Sequence, residues 1–319
     1  MKMKDILTQI RKTAKELLEA KKVDAVIGFK SGTVPLMSAP TFVRNPEDSS
    51  TLHWDRFCRV NLSKYLSKRT DRIAVITKGC DSRSIVSMIT ENQIKRENVY
   101  IIGVPCTGMI SRRKVVSMIG HLEVDLIEKN HQVTIKAASK EIIVDLMEIL
   151  QDDCLGCMHR NPVIYDELIG ERVDERAGGD KDSSVKRIES MSADERWRHF
   201  DEMFSLCILC YACRNSCPHC YCDQCFADDS RPQWCGKSIN PEDVKTFHIF
   251  RAYHSAGRCT GCGACESACP MGINVRELTM KLEKEVKELF GYEAGMSLEE
   301  KPLLGEYSEK DPDAFLKNS

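Results

Sequence analysis

The chain has 319 residues, of which 42% are hydrophobic, and this length and composition suit about two folded domains. Its 46 basic and 48 acidic residues leave a formal net charge of −2, which argues against a general nucleic-acid surface or an anionic membrane partner. The apolar runs are too short to span a membrane, and the charged N-terminal segment lacks the apolar core of a secretory signal. We therefore expect a cytoplasmic protein without direct membrane insertion.

Residues 1–170 are predicted to form an α/β domain with a mostly parallel sheet. Short buried apolar runs predict strands at 23–29, 72–77 and 99–104. Helical periodicity and capping residues predict helices at 5–20, 54–66, 81–92 and 112–119. This alternation is typical of parallel βαβ units, in which ligands bind beyond the carboxyl ends of the strands. Cys80 and Cys106 follow two of these strand ends.

The second half of the sequence is predicted to contain a linker, a small domain and a tail. Residues 171–192 are charged and lack apolar periodicity, so a mobile linker is expected there. Residues 193–290 are predicted to form an α+β, two-cluster ferredoxin-like domain with a cysteine-rich insertion, and 291–319 a C-terminal tail. Ser192 and Glu195 have the spacing of a capping box at the start of a helix.

A twelve-residue cysteine run occurs twice in this small domain. Both copies have the pattern C-x2-C-x2-C-x3-C-P, which is the ligand spacing of bacterial two-cluster ferredoxins. In such runs the fourth cysteine binds the cluster of the other run. One [4Fe-4S] cluster is therefore predicted on Cys207, Cys210, Cys213 and Cys269. The other is predicted on Cys259, Cys262, Cys265 and Cys217. Two zinc sites with four cysteines each are the alternative.

Of the 17 cysteines, four more lie between the two runs. They are predicted to hold a third metal site, either a further cluster or a zinc ion: Cys220, Cys222, Cys225 and Cys235. His219 could replace one sulfur on zinc. The alternative is that some of these residues are substitute ligands or buried thiols.

Another four cysteines lie in the first domain. Cys80 and Cys106 are expected at neighbouring strand ends, and Cys154-Leu-Gly-Cys157 forms a C-x2-C turn that could fold over them. This set could hold one more [4Fe-4S] cluster, and the alternative is two buried thiols with a structural turn. Cys58, the remaining cysteine, is predicted to be a buried thiol.

Four segments together resemble a known family: Val23–Gly28, Lys78–Arg83, Val99–Cys106 and Cys154–Cys157. The family is the beta subunit of coenzyme F420-reducing hydrogenases and of F420-type formate dehydrogenases, and the dicluster domain is closer to the formate dehydrogenase branch. The resemblance implies a flavoprotein in which FAD exchanges a hydride and iron–sulfur clusters pass electrons to other subunits. It also implies that Cys80, Cys106, Cys154 and Cys157 hold the cluster nearest the flavin.

Candidate flavin-binding residues follow the same two strands. Lys78, Asp81, Ser82 and Arg83 precede or begin a helix, where backbone N–H groups favour a phosphate, and Gly108 allows close approach of a ring. A plain helix N-cap is the alternative role of Asp81. The sequence departs from the family in one respect. Family members have a glycine-rich stretch ahead of the first strand that helps to build the flavin and F420 pocket, and the nearest counterpart here is the weaker pattern at 28–33.

These features predict an electron-transfer subunit of a cytoplasmic, anaerobic oxidoreductase complex. Clusters would connect a flavin or hydride site to a catalytic partner such as a formate dehydrogenase, hydrogenase or heterodisulfide-reductase-like subunit. Ferredoxin, F420 or NAD(P)H are candidate electron donors or acceptors. The alternative is a flavin-free polyferredoxin adaptor that only docks and connects partner subunits. A zinc-rich nucleic-acid binder is disfavoured by the balanced charge and the few aromatic residues.

Overall fold

The computed structural model describes residues 3–138, 140–176 and 182–305. The chain divides into two compact units, the first formed by Met1–Ser82 with Ile94–Gly179 and the second by Arg83–Gln93 with Asp180–Ser319. The sequence does not anticipate that a short segment from the first half belongs to the second unit. Residues 177–181 of the predicted linker and 306–319 of the predicted tail lie outside the described residues.

The first unit contains eight strands in its described residues. In chain order they are β1 Ala25–Ser31, β2 Ser38–Val43, β3 Ile73–Thr77, β4 Val99–Gly103, β5 Asp125–Lys129, β6 Gln132–Ala137, β7 Lys140–Asp145 and β8 Glu167–Leu168. Five form a sheet in the order β2-β1-β3-β4-β8, and three form an antiparallel sheet in the order β5-β6-β7. Only the β1–β2 pair of the larger sheet is antiparallel, which confirms the predicted mixed α/β fold with a mostly parallel sheet.

Five α-helices begin in the described residues of the first unit. They are α1 Met3–Glu19, α2 Gly79–Thr90, α3 Arg112–Ile119, α4 Leu146–Ile149 and α5 Asp152–Leu155. β3 and β4 are almost completely buried because their runs of Ile, Val and Ala face apolar neighbours on both sides. Ser111 caps α3 as predicted, since its hydroxyl accepts a hydrogen bond from the Lys114 N–H.

The predicted helix over 54–66 is wrong. The chain there is irregular apart from a 3-10 turn at Leu62–Tyr65. The Asp55 carboxylate accepts a hydrogen bond from the Phe57 N–H at 2.8 Å, and the Asn61 side chain accepts one from the Ser63 N–H at 3.1 Å. Such local side-chain acceptors compete with the helical hydrogen-bond ladder and favour turns.

The second unit is helical in its described residues. Its helices are α6 Ser183–Glu189, α7 Ala193–Ser205, α8 Ala212–Asn215, α9 Pro241–His254, α10 Ala264–Ala268 and α11 Arg276–Phe290. Helix α6 lies within the segment predicted as a linker, and residues 182–305 form none of the strands that an α+β fold implies. The Ser192–Glu195 capping box starts α7 as predicted. The described part of the chain has no helix with the length and apolar character that a membrane span requires.

The core of the second unit is formed by α7, α9 and the cysteine runs. Phe204 of α7 stacks on His248 of α9 with ring centroids 4.4 Å apart, and Phe247 lies edge-on to Tyr211. Cys213, Cys235 and other cysteines are buried in the same apolar cluster. The inserted helix α9 therefore packs directly against the segments that carry the predicted ligands.

Candidate functional site

The two cysteine runs meet at a cavity in the second unit. Its lining includes all four predicted ligands of the first cluster: Cys207, Cys210, Cys213 and Cys269. Three of these residues come from the first run and one from the second. The rest of the lining is mainly apolar, with side chains such as Leu209, Phe247 and Ile273. Cysteines of both runs therefore reach one recess, as a crossed [4Fe-4S] ligand set requires, and the ligand assignment itself stays a prediction.

Two N–H donors lie close to the sulfur of Cys207. The backbone N–H of Leu209 donates to this sulfur at 3.4 Å, and Nε2 of His248 lies 3.3 Å from it. Burial, together with the Arg251 charge, lowers the pKa of His248 to about 4, so its imidazole is neutral near pH 7. Burial raises the pKa of the Cys213 thiol to about 11, so a metal must displace its proton.

The predicted ligands of the second cluster also come from both runs. The Cys259 group interacts electrostatically with Cys262, and the Cys265 group interacts with Cys217. The runs are joined nearby, where the Ser216 hydroxyl donates to the Ala264 carbonyl at 3.1 Å. The structure thus places Cys217 of the first run beside a cysteine of the second.

The two runs have the same backbone shape at equivalent motif positions. Leu209 and Tyr211 have φ angles of 47° and 58°, and their counterparts Gly261 and Gly263 have 69° and 66°. Glycine adopts this left-handed region without the steric cost that L side chains incur. The two runs therefore share a left-handed backbone conformation at the same two positions of the motif.

The four cysteines between the runs differ in their neighbours and in their exposure. The Cys225 and Cys235 groups interact with each other, Cys220 interacts with Cys217, and Cys222 is exposed. Among the described residues, no three His, Cys, Asp or Glu side chains are arranged to hold a single metal ion. The same finding covers the cysteines of the two runs and those of the first unit, so all of these ligand assignments, including the third metal site, stay predictions.

In the first unit, the loops after β3 and β4 bring the other cysteines into one neighbourhood. Cys80 and Cys106 both interact electrostatically with Lys78, and Cys154 interacts with both Cys106 and Cys157. Backbone N–H groups donate to two of the sulfurs: Gly108 to Cys106 at 3.4 Å and Met109 to Cys154 at 3.3 Å. Hydrogen bonds to ligand sulfurs tune bound clusters, and the assignment of these four cysteines to a cluster stays a prediction. Cys58 is fully buried, as predicted.

The polar candidate flavin residues form hydrogen bonds and ion pairs with other groups of the chain. Nζ of Lys78 lies 2.8 Å from Asp81 and donates to the carbonyl of Cys58, and the Ser82 hydroxyl donates to the carbonyl of Gly79. The guanidinium of Arg83 donates to the carbonyls of Ala294 and Thr260. Gly108 has a φ of 109°, and a side chain there would meet Leu150 at 2.9 Å. The flavin role of these residues stays a prediction, and the contacts give each of them a structural role.

Sequence reasoning missed two residues of the second unit that lie beside the predicted ligands. His248 is predicted only to pack or to face solvent, yet its ring faces the Cys207 sulfur. Arg251, one helical turn further along α9, is buried and interacts with Cys265, Cys217 and Cys213. Their i, i+3 spacing puts them on one helix face, but the sequence does not show which face meets the cysteines.

Residues 202–273 match the family of 4Fe-4S dicluster domains. The chain carries a 4Fe-4S dicluster domain. Two curated relatives match nearly the whole chain. The F420-dependent formate dehydrogenase subunit beta of Methanocaldococcus jannaschii is 27% identical over 91% of this chain and 92% of its own length. The F420-dependent formate dehydrogenase 1 subunit beta of Methanococcus maripaludis is 27% identical over 91% of each chain.

A solved structure, that of the F420-reducing [NiFe] hydrogenase complex from Methanosarcina barkeri, matches with a TM-score of 0.39 and 17% identity. That match covers 49% of this chain and 63% of the other. The predicted resemblance to the beta-subunit family is confirmed by the two formate dehydrogenase relatives, which are subunits of oxidoreductases.

Proposed function

We propose that this chain is the electron-transfer subunit of a cytoplasmic oxidoreductase complex, in which it relays electrons between a hydride-handling site and a catalytic partner. The observation that carries the proposal is the cavity in the dicluster domain, which is lined by cysteines of both runs. [4Fe-4S] clusters held there would accept and donate single electrons. The names of the relatives point to a formate dehydrogenase as the partner subunit.

The residues around the cavity suit exchange of electrons with another protein. Cys210 is exposed, and the neighbouring Ile208 and Met271 side chains are 52% and 42% exposed. A partner that covers these apolar side chains would approach the Cys210 ligand closely. The remaining cavity wall is mainly apolar.

Further cofactor sites belong to the same proposal. The Cys80, Cys106, Cys154 and Cys157 set would hold a third cluster, and the cysteines at 220–235 a fourth cluster or a zinc ion. FAD would bind in the predicted beta-subunit-like α/β domain of residues 1–170. The dicluster domain of residues 193–290 would then deliver the electrons to the partner.

The flavin-free adaptor is a second candidate, and one observation favours it. The charged residues among the flavin candidates all have partners within this chain. Lys78 and Arg83 donate to backbone carbonyls, and Asp81 pairs with the Lys78 ammonium. An adaptor would need only its clusters and its docking surfaces.

Anaerobic purification followed by iron, zinc and flavin analysis separates these candidates. Four clusters correspond to about sixteen iron atoms per chain, and three clusters with one zinc to about twelve. Extractable FAD that is reduced by F420H₂ or NAD(P)H supports the relay from a hydride site, whereas clusters without flavin support the adaptor. Absence of iron from the anaerobically reconstituted chain would contradict both.

A further inference from the structure

Helix α9 places a positive charge inside the dicluster domain. The helix lies in the insertion between the two cysteine runs, and its buried side chains include Phe247, His248 and Arg251. Arg251 is only 4% exposed. Arginine is almost never fully buried unless an anionic group or several acceptors surround it, so its environment requires an explanation.

The neighbours of Arg251 are mainly the predicted cluster ligands. Nη2 donates to the Cys213 carbonyl at 3.4 Å, and the side chain also forms a hydrogen bond with Cys265. Nε is buried and has no hydrogen-bond partner among the described residues. Within the same residues, no Asp or Glu forms an ion pair with Arg251. The counter-charge that a carboxylate would normally supply is therefore expected from the cysteines.

The charge of Arg251 persists in this environment. A guanidinium stays protonated in proteins, and the groups that interact electrostatically with this one include Cys265, Cys217 and Cys213. Cys213 is a predicted ligand of the first cluster, whereas Cys217 and Cys265 are predicted ligands of the second. One cation thus lies beside predicted ligands of both clusters, and it interacts electrostatically with two ligands of the second and one of the first.

We propose that the positive charge of Arg251 raises the reduction potentials of both ferredoxin-type clusters. The effect is stronger on the cluster that Cys217 and Cys265 are predicted to bind. The inference rests on the proposed function, because it assumes that both clusters form. Each one-electron reduction adds a negative charge to a thiolate-bound cluster, with no bond made or broken, and the electron comes from the reductant. A fixed cation in a low-dielectric interior favours the more negative state.

The test compares Arg251→Gln, which removes the charge, with Arg251→Lys, which keeps it. The matched control is Lys245→Gln, which removes a cation of the same helix that pairs with Asp201 and lies over Trp197. Each anaerobically prepared variant is titrated with dithionite, and the two cluster signals are followed by EPR together with the iron content.

Arg251→Gln is expected to keep its iron and to weaken the electron affinity of the second cluster at least tenfold, which is about 59 mV for a one-electron couple. The first cluster is expected to shift less, and Arg251→Lys and Lys245→Gln to stay close to the unaltered protein. Unchanged reduction potentials in Arg251→Gln would overturn the proposal while leaving the proposed function intact. A fall of the potentials in Arg251→Lys that equals the fall in Arg251→Gln would do the same. Loss of iron from both Arg251 variants would assign a purely structural role and also overturn it. Absence of iron from the unaltered protein would instead contradict the proposed function.

Discussion

Nε2 of His248 lies 3.3 Å from the sulfur of Cys207, and the same imidazole stacks on Phe204 at a centroid distance of 4.4 Å. Because burial keeps the pKa of His248 near 4, a neutral imidazole can donate one N–H to the cysteine sulfur near pH 7. Hydrogen bonds to ligand sulfurs stabilise the more negative, reduced state of a cluster.

Replacement of His248 by Phe is expected to lower the electron affinity of the cluster at Cys207. Phe preserves the stacking on Phe204 but removes the N–H, so the iron content should be unchanged. EPR-monitored redox titration measures the shift, which should exceed that of the cluster at Cys259. His254→Phe is the control, because His254 lies on the same helix and packs edge-on to Phe226. A potential that is unaffected by His248→Phe would show that this contact is packing alone.

Lys78 and Asp81 form a buried ion pair that is expected to be important for stability. Both residues are almost inaccessible, their charged atoms are 2.8 Å apart, and the Lys78 ammonium also donates to the carbonyls of Cys58 and Val60. Removal of one partner leaves an uncompensated buried charge. Lys78→Met is therefore expected to cost about 3–5 kcal/mol of unfolding free energy.

Urea unfolding of the variants measures this cost. The double variant Lys78→Met with Asp81→Asn should recover part of it, because no buried charge then remains. Lys12→Met is the matched control, since the pair of Lys12 with Glu16 is exposed and should contribute less than about 1 kcal/mol. Equal losses in Lys78→Met and Lys12→Met would contradict this account.

The glycine positions of the second cysteine run lead to a prediction about loop shape. Gly261 has a φ of 69°, and a methyl group there would meet only ordinary contacts, the nearest being Arg276 at 3.4 Å. The cost of Gly261→Ala is therefore backbone strain alone, which is about 1–2 kcal/mol. Since Leu209 adopts the same conformation in the first run, the variant should still assemble its clusters.

Thermal unfolding and iron analysis of Gly261→Ala check this expectation. Gly305→Ala is the control, because this residue is not in the left-handed region and its added methyl group would meet only Pro302 at 3.7 Å. A stable Gly261→Ala protein with a melting temperature like that of Gly305→Ala would show that the loop can relax out of the left-handed conformation.

The sequence was sufficient for much of the fold because its strongest signals are local. The buried runs at 72–77 and 99–104 became β3 and β4, and Ser192 with Glu195 capped α7 as expected. Helix α2 began two residues earlier than predicted, since Asp81 does not precede the helix but accepts the Lys78 N–H from inside its first turn. Residues 54–66 have helical apolar periodicity but form a loop, because the Asp55 and Asn61 side chains accept backbone N–H hydrogen bonds there.

The sequence says more about the cysteines themselves than about the groups that surround them. A motif such as C-x2-C-x2-C-x3-C fixes how one short loop presents its sulfurs, which is a local property. The contacts of His248 and Arg251 with the runs depend instead on how α9 packs, and its sequence has apolar residues on more than one side, including the exposed Ile249, Phe250 and Tyr253. Periodicity could not select the buried face of such a helix.

If the two runs cross-ligate as predicted, particular pairs of cysteine substitutions should share a phenotype. Cys269 belongs to the second run but lines the cavity with Cys207 and Cys210 of the first. Cys269→Ala should therefore remove the same cluster as Cys207→Ala, whereas Cys217→Ala should match Cys259→Ala. Each substitution is expected to lower the iron content by about four atoms per chain.

EPR spectra of the dithionite-reduced variants distinguish the two pairs, because the signal of the surviving cluster identifies which one was lost. Cys58→Ala is the control, since Cys58 is fully buried and hydrogen-bonded to Asp55, away from both runs in the sequence. It should keep the full iron content of the dicluster domain. If Cys269→Ala instead resembled Cys259→Ala, each run would bind its own cluster, and the cavity lined by both runs would need another explanation.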